Sequence, residues 1–460
     1  MLNLDSLNLV NQRVLLVGYG VIGKQILARL MDAKTEVVGI VDDLNKSDLI
    51  ENSYRLDRLA FAIRELKPTL ILVTASLFGS AKLNQITTEA SNASLPLYLV
   101  PERAEFFLSD TKEMNFRTPT LEDLFARNSL VIDFEETSKK IKGKRVLVTG
   151  AGGSIGSRIA LHAFNLGALQ VGLLDRDDCL LHDVAVEITG NMHDSRTPLF
   201  VVDIQFPESV NRVFSDFRPE IVVHAAALKH VTTLETYPQN ALSVNVLGTL
   251  NVLRASEKFE VKEFINISTD KAASTENVLG VSKYITERMT AAVKVSKAKS
   301  VRFGNVLGSR ASVMNTFKIQ ARHHGKLTVR GEETTRFFMT NNEAASLSLS
   351  TLTSSEASGT FVFNMGKPVR ILELAQEIAK SELEETQIII EDLHSGEVIH
   401  ERLFRDEEVP KPTSVDQVFC VEPPKINLSK VAELLSNPEE IYNLTDKQAR
   451  NILNYLLLHE

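Results

Sequence analysis

Only two cysteines, Cys179 and Cys420, occur in 460 residues. That is too few for a disulfide framework, and no CxxC or Cys/His spacing suggests structural zinc. The default for both thiols is a buried, inert side chain in a reducing compartment. Positive charge is not in excess either: 51 Lys and Arg face 59 Asp and Glu, a formal net charge of −8 with a pI near 5.8. No global field therefore favours nucleic acid or an anionic membrane surface, and a phosphate-bearing ligand must be held by local devices. No apolar run approaches the roughly 18 residues of a membrane span, and the N-terminus lacks a basic stretch followed by an apolar one. These absences predict a cytoplasmic protein without direct membrane insertion; the C-terminal NILNYLLLHE is far too short to cross a bilayer and reads as a terminal packing helix.

What is present is ordinary globular composition, 43% hydrophobic and 24% charged, in a chain long enough for two or three domains. RVLLV, then Gly18-Tyr-Gly20-Val-Ile-Gly23, then KQILARLMD reads as strand, tight turn and helix. The next strand, EVVGIVDD, ends at Asp42, close to the roughly 20-residue offset at which dinucleotide-binding folds place a ribose carboxylate. A helix over residues 57–66 and the strands TLILVTA and LYLVP complete a parallel domain over residues 1–115. Residues 116–142 are charged and irregular, as a connector would be. The grammar then restarts, with KRVLVTGAGGSIGS followed by a helix and QVGLLDRDD, and runs through LFVVDI, IVVHAAA, EFINIST and KSVRFGNVLG. A second sheet of at least six strands is expected in residues 143–460, with a looser substrate-binding lobe mainly after residue 308. The fold class is α/β: two Rossmann-like parallel-sheet domains, the second with a smaller C-terminal lobe.

A lone GxGxxG is weak evidence, so Gly18, Gly20, Gly23 and Asp42 are candidates for a nucleotide or for a Rossmann-like unit kept for packing. In the second turn, Gly150, Gly153 and Gly156 let backbone N–H groups and a helix N-terminus approach a pyrophosphate. Asp175 can accept from both ribose hydroxyls and repels a 2′-phosphate, which favours NAD over NADP, although Arg176 beside it pulls the other way. Ser268-Thr269-Asp270-Lys271 follows the strand EFINI directly, at the carboxyl edge of the sheet, which makes Asp270 and Lys271 a candidate acid and base rather than a solvated pair. Lys283 lies on the next helix, where residues four apart share a face.

The segments TGAGGSIGS, HAAALKHV, Asn240 and Asn245 before GTLNV, STDKAA, GxSK, RFGNVLGSR, TRFFMT and NMGKPVRILELA resemble the nucleotide-sugar 4,6-dehydratases of bacterial polysaccharide and glycan synthesis, which are extended short-chain dehydrogenase/reductases. The likeness covers residues 143–403, and TLEDLFARNSLVID resembles the connector of the long two-domain branch. Members of that branch commonly carry transmembrane helices ahead of their first domain, and the sequence is expected to start at that domain. The resemblance implies that Gly150, Gly153, Ser154, Ile155, Gly156, Asp175, Arg176, Asp203, Ile204, Ala225 and Lys283 hold NAD. It implies that Thr269 bonds the sugar 4-oxygen, Asp270 protonates the departing 6-hydroxyl and Lys271 removes the C5 proton. Lys229, Asn305, Arg310, Arg336 and Glu397 are the implied contacts to a UDP-sugar, UDP-N-acetylglucosamine in the first place, and a homo-oligomer is the expected assembly.

Chemistry explains these residue types. A 4-ketone acidifies the C5 proton, but Lys271 acts as base only if its pKa falls, and a shared site with Lys283 is expected to lower it. Four residues before Lys283, where short-chain dehydrogenases carry Tyr and the long branch carries Met, stands Leu279. The hydroxyl proton then passes to Asp270 or Lys271, or the enzyme is weakened. His394-Ser395 replaces the family's Arg-Pro before Gly396-Glu397, losing one cation, Val398 loses another, and Ser274-Thr275-Glu276 replaces Asn-Pro-Thr. A nucleotide-sugar epimerase or other oxidoreductase, and a non-catalytic nucleotide-sugar or NAD-binding regulator, are the alternatives. His323-His324 reads as a surface pair rather than a metal site, His224 and His230 as packing groups, and Arg405-Asp406-Glu407-Glu408 as a solvated face.

Overall fold

A computed structural model describes residues 2–3, 12–43, 50–74, 80–99, 115–119, 133–382, 386–415 and 417–459. The chain forms two compact units, Met1–Ser129 and Leu130–Glu460. Among the described residues no helix is long and apolar enough to cross a membrane.

In the first unit the strands Ser53–Tyr54, Glu36–Val41, Arg13–Val17, Leu70–Val73 and Leu97–Leu99 lie side by side in that order, all parallel. Its central strands are apolar on both faces, as a sheet covered twice requires. Val14, Leu16 and Ile40 pack on Ile26 and Leu30 of the helix Val21–Asp32, whereas Leu15, Val17 and Val73 pack on Leu59, Ile63 and Ile86 of the two other helices. The five-stranded doubly wound unit matches the expectation from pattern.

The second unit is built on nine strands. Leu199–Val201, Gln170–Asp175, Arg145–Thr149, Ile221–His224, Glu263–Ile267, Lys297–Arg302 and Ser358–Phe363 run parallel in that order; Val418–Val421 and Lys411–Pro412 add an antiparallel edge. Strand order reverses between Arg145–Thr149 and Ile221–His224, so the crevice outside their carboxyl ends is the natural ligand site. Outside this sheet, three pairs of short strands form the lobe. One of them joins Thr335–Arg336 to Val369–Arg370, and Thr335 also bridges to His400.

Three sequence expectations change. Phe134–Ile141, read as irregular connector, is a helix capped by Asp133, whose carboxylate accepts from the Glu136 N–H, and it buries Thr137 and Ile141. The rest of that connector, including most of TLEDLFARNSLVID, lies outside the described residues. Arg405-Asp406-Glu407-Glu408 is not a solvated face as a whole: Arg405 stacks over the Tyr284 ring at 4.1 Å, and Glu408 pairs with buried Arg302 at 2.8 Å. Cys179 is exposed rather than buried, with Asp178 and then burial and Asp177 holding its thiol above the usual range. Cys420 is buried, and burial pushes its thiol up to about 11.

The helix Val278–Ala292 has no exposed face over residues 278–290. It therefore buries Lys283, Glu287 and Arg288, and each must be accommodated. Arg288 reaches past the helix to the C-terminal helix Asp446–Leu458, where its Nη1 donates to the carbonyls of Leu456 (2.7 Å) and Leu457 (2.9 Å) and its Nη2 to that of His459 (2.9 Å). A cation on otherwise unsatisfied helix-terminal carbonyls is favourable twice over. Replacing Arg288 with Ala is expected to destabilise the chain by about 3 kcal/mol. Urea denaturation checks this, and a loss under about 0.5 kcal/mol would rule out the clamp.

Candidate active site

The cofactor end is built by the turn between Arg145–Thr149 and the helix Ser154–Asn165. Gly150 has φ +66°, a left-handed value that only glycine adopts freely, and a Cβ on Gly156 would lie 2.1 Å from the Gly150 carbonyl oxygen. Gly153 caps the helix without a side chain, leaving its first N–H groups open. Asp175 closes the next strand; its Oδ2 accepts from Gly152 N at 3.0 Å and its Oδ1 from Arg176 N at 2.8 Å, which fixes the carboxylate at the turn. A cavity of ≈ 150 Å³ runs past Gly150, Asp175, Arg176, Asp203, Ile204 and Ala225. It shares Gly153, Ala225, Ala227 and Leu228 with a larger one of ≈ 570 Å³ that reaches Thr269, Lys271 and Lys283. A cradle that a single Cβ would fill, an open helix N-terminus, an acid at the strand end and a continuous cleft fit a dinucleotide.

A short π-helix, Ala241–Leu247, sets the wall of this cleft. It aims Asn245 at the AAALK loop, where the amide accepts from Leu228 N at 2.8 Å and donates to Leu228 O at 3.1 Å. His224 is wholly buried between the hydroxyls of Thr149 (2.7 Å) and Thr249 (2.9 Å), and burial pulls it down to about 3, so it stays neutral and structural. His323 and His324 end the helix Val313–His324 as an exposed pair.

The chemical end lies where Glu263–Ile267 stops. Thr269 Oγ1 donates to Asp270 Oδ1 at 3.0 Å, and Lys271 Nζ reaches the same oxygen at 3.2 Å and Asn305 Oδ1 at 3.1 Å. Gly280 of the GxSK segment lets the following helix close on this turn, since a Cβ there would lie 2.2 Å from the Lys271 carbonyl oxygen. Sequence reading missed Glu401. Its carboxylate sits 2.7 Å from Lys271 Nζ and 3.2 Å from Arg336 Nε, and its side chain is 2% exposed. It arrives because Thr335 N donates to Ile399 O at 2.9 Å and Thr335 Oγ1 meets His400 Nδ1 at 2.9 Å.

These contacts overturn one expectation. Burial pulls Lys271 down, but Asp270 and Glu401 together outweigh it, and the amine is held above the ordinary lysine range rather than below it. Asp270, with its side chain 0% exposed, is pushed up to about 8, by burial first and by the Glu401 charge second. Lys283 follows the opposite course to Lys271. It is 4% exposed, its amine makes no hydrogen bond or ion pair among the described residues, and burial lowers it to about 8. Leu279 lines the same cavity one turn away.

Of the expected sugar contacts, Lys229, Asn305 and Arg310 line the cavity. Lys229 Nζ donates to Arg310 O at 2.8 Å, Arg310 N to Ser154 Oγ at 3.0 Å, and the Arg310 guanidinium to the Gly152 carbonyl, which ties Lys229 and Arg310 to the glycine turn. Arg336 faces Glu401 instead, and Glu397 folds back on its own turn, accepting from His394 N at 2.8 Å. In the first unit, Gly18, Gly20, Gly23 and Asp42 form a comparable turn. Asp42 Oδ2 accepts from Tyr19 N at 2.6 Å, and a Cβ on Gly23 would lie 2.2 Å from Gly18 O.

Residues 146–423 match the family described as "Polysaccharide biosynthesis protein". The chain is 31% identical over 441 residues to the probable polysaccharide biosynthesis protein EpsC of Bacillus subtilis, covering 92% of this chain and 72% of that one. It is 30% identical over 424 residues to the capsular polysaccharide biosynthesis protein CapD of Staphylococcus aureus, covering 88% and 70%. Among solved structures, Pen from Bacillus thuringiensis is 26% identical with a TM-score of 0.56, over 65% of this chain and 99% of that one.

The lowered Lys283 has a consequence for stability. An unfolded lysine keeps its ordinary pKa near 10.5 while the folded one titrates at about 8, so the unfolded state binds more protons between those values and wild-type stability rises with pH across that window. Below pH 8 the cost of burying the cation is complete. Lys283→Met is therefore expected to raise the melting temperature at pH 7 by a few degrees, with the gain fading toward pH 10.5. A gain independent of pH in thermal melts would contradict this origin.

Proposed function

This chain belongs to the polysaccharide biosynthesis protein family, and from that premise we propose that it catalyses NAD-dependent 4,6-dehydration of a UDP-N-acetylhexosamine. UDP-N-acetylglucosamine is the first substrate to test, and the product is a 4-keto-6-deoxy sugar for glycan or polysaccharide synthesis. The observation that carries this reading is the buried acid Asp270 hydrogen-bonded to the amine of Lys271 beside the cavity. Elimination of water across C5 and C6 needs both a base and an acid; a simple redox exchange at C4 leaves them idle.

NAD, held by the turn at Gly150, Gly153 and Gly156 and by Asp175 and Lys283, would supply the hydride acceptor at C4 and the hydride donor at C6. Asp175, at the end of its strand, would repel a 2′-phosphate on the ribose, which favours NAD over NADP. Lys229 and Arg310 offer cations to the diphosphate. Thr269 presents a hydroxyl to the sugar 4-oxygen.

Proton accounting assigns the remaining roles. Oxidation at C4 releases the hydroxyl proton, Lys271 takes the C5 proton, Asp270 gives its proton to the 6-oxygen, which leaves as water, and Lys271 returns its proton to C5. Over a cycle Lys271 is restored and Asp270 is one proton short. The 4-hydroxyl proton must therefore end on Asp270, and the 3.0 Å Thr269–Asp270 hydrogen bond is a one-hydroxyl path to it. Leu279 offers no such path. When the pair holds a single proton, the ion pair of Lys271 and Asp270 and the neutral amine beside the neutral acid differ only by a shift of that proton over 3.2 Å.

Proton NMR with UDP-N-acetylglucosamine in D₂O tests the proposal. A new C6 methyl signal with deuterium at C5 is expected, and Thr269→Val should slow its appearance by about a hundredfold or more. Saturation-transfer evidence of binding with no methyl product, even with NAD added, would refute dehydration and favour a binding module.

A further inference from the structure

Asp270 Oδ2 and Glu401 Oε2 are both buried and take no hydrogen bond from any other residue's N–H or O–H. Two carboxyl oxygens left bare in this way are costly unless a proton lies between them. The two carboxyls meet at the same Lys271 amine and bear on each other's protonation, although they come from a strand end and a lobe segment about 130 residues apart. Two cations face the pair: Lys271 Nζ, 3.2 Å from Asp270 and 2.7 Å from Glu401, and Arg336 Nε, 3.2 Å from Glu401. Thr269 Oγ1 is the remaining neighbour of Asp270. The largest charges acting on Asp270 are those of Glu401 and Lys271, and on Glu401 those of Lys271 and Arg336.

We propose that Glu401 is a positioning residue that shares one proton with Asp270 and holds Lys271 against the cavity, so that the acid and base of the elimination are loaded from one buried cluster. This rests on the dehydratase reading. Glu401 carries the negative charge because both cations contact it, and that charge keeps the proton on Asp270. With two cations, one charged carboxylate and one neutral carboxylic acid the cluster has a net charge of +1 and no free base; it releases one proton, becoming neutral, before it takes the 4-hydroxyl proton, and Lys271 then frees its amine for the C5 proton by passing its own proton 2.7 Å to Glu401. Removing the Glu401 charge leaves Lys271 to act on Asp270 alone, which favours ionised Asp270 and removes the acid. Glu401 itself lies behind Lys271 and is not required to touch the sugar.

Infrared difference spectroscopy of the purified protein reads the shared proton without turnover. A protonated carboxylic acid band is expected at pH 7 in the wild type, and it should vanish in Asp270→Asn and also in Glu401→Gln, which leaves Asp270 in place. In the D₂O assay, Glu401→Gln should lower kcat by about a hundredfold with KM for the UDP-sugar nearly unchanged, and Glu401→Asp should recover part of the loss. The pH profile of kcat should lose its limb near pH 8 in Glu401→Gln. A wild type without the band, or a Glu401→Gln variant with band and pH profile intact, would overturn the proposal. If the wild type shows the band but forms no methyl product, the proton sharing stands and the dehydratase reading falls.

Discussion

The ion pair between Glu287 and Arg302 is the constraint from which the geometry of the site follows. Both side chains are wholly buried, with Arg302 Nη2 2.6 Å from Glu287 Oε2. Arg302 also makes two bonds to Glu408, Nη1 to Oε2 at 2.8 Å and Nη2 to Oε1 at 2.9 Å, and Glu287 Oε1 accepts from Ser268 Oγ at 2.5 Å. A buried pair of this kind gives little net stability relative to apolar residues of the same volume, but breaking it strands a charge, so its geometry is enforced. Through it the helix Val278–Ala292, the strand Lys297–Arg302, the turn before Thr269 and the lobe segment after residue 400 are fixed to one point. The acid, the base and Lys283 are held by elements that all converge there.

The two lysines at the cavity show how local partners decide function. Both are largely buried and carry the same side chain. Lys271 has two carboxyl groups within 3.2 Å and is held charged; Lys283 feels only the more distant Glu287 and is pulled toward neutrality. Desolvation acts on both, and only the count of opposite charges differs. The missing phenol at Leu279 belongs to the same logic. Where a phenolic oxygen would offer Lys283 an anionic neighbour, a leucine leaves it alone, and the proton traffic moves to the Thr269–Asp270 side of the cavity.

Much of this was readable in advance because it is local. Alternating apolar runs, glycines and strand-end acids mark each parallel strand within a window of ten or so residues, and both sheets and the turns at Gly18 and Gly150 appear as the pattern implies. Thr269, Asp270, Lys271 and Lys283 were legible because they follow a recognisable strand. Glu401 was not, because its place depends on Thr335 pairing with Ile399 and His400, a contact across some 65 residues with no periodic signal. The sign of the Lys271 shift was misread for the same reason: the neighbour assumed from sequence was Lys283, and the neighbour in space is Glu401. Glu408 looked solvated beside Asp406 and Glu407, and only its pairing with Arg302 makes it a buried group.

The proposed chemistry falls where ionisable groups are buried without full compensation. The large buried cations and the buried histidine of the scaffold are paired: Arg288 on helix-terminal carbonyls, His224 between two hydroxyls, and Lys299 on the carbonyls of Thr351 and Ser354. Around the cavity sit an unpartnered lysine and two bare carboxyl oxygens. Each is destabilising as a structural element, and an apolar residue of similar volume would fold better. Such groups persist when the surrounding structure over-determines them, and here the Glu287–Arg302–Glu408 cluster, the π-helix at Ala241–Leu247 and the closely packed Gly280 supply that surplus. Stability is concentrated in the scaffold so that the groups facing the cavity can remain in protonation states that water would not allow them.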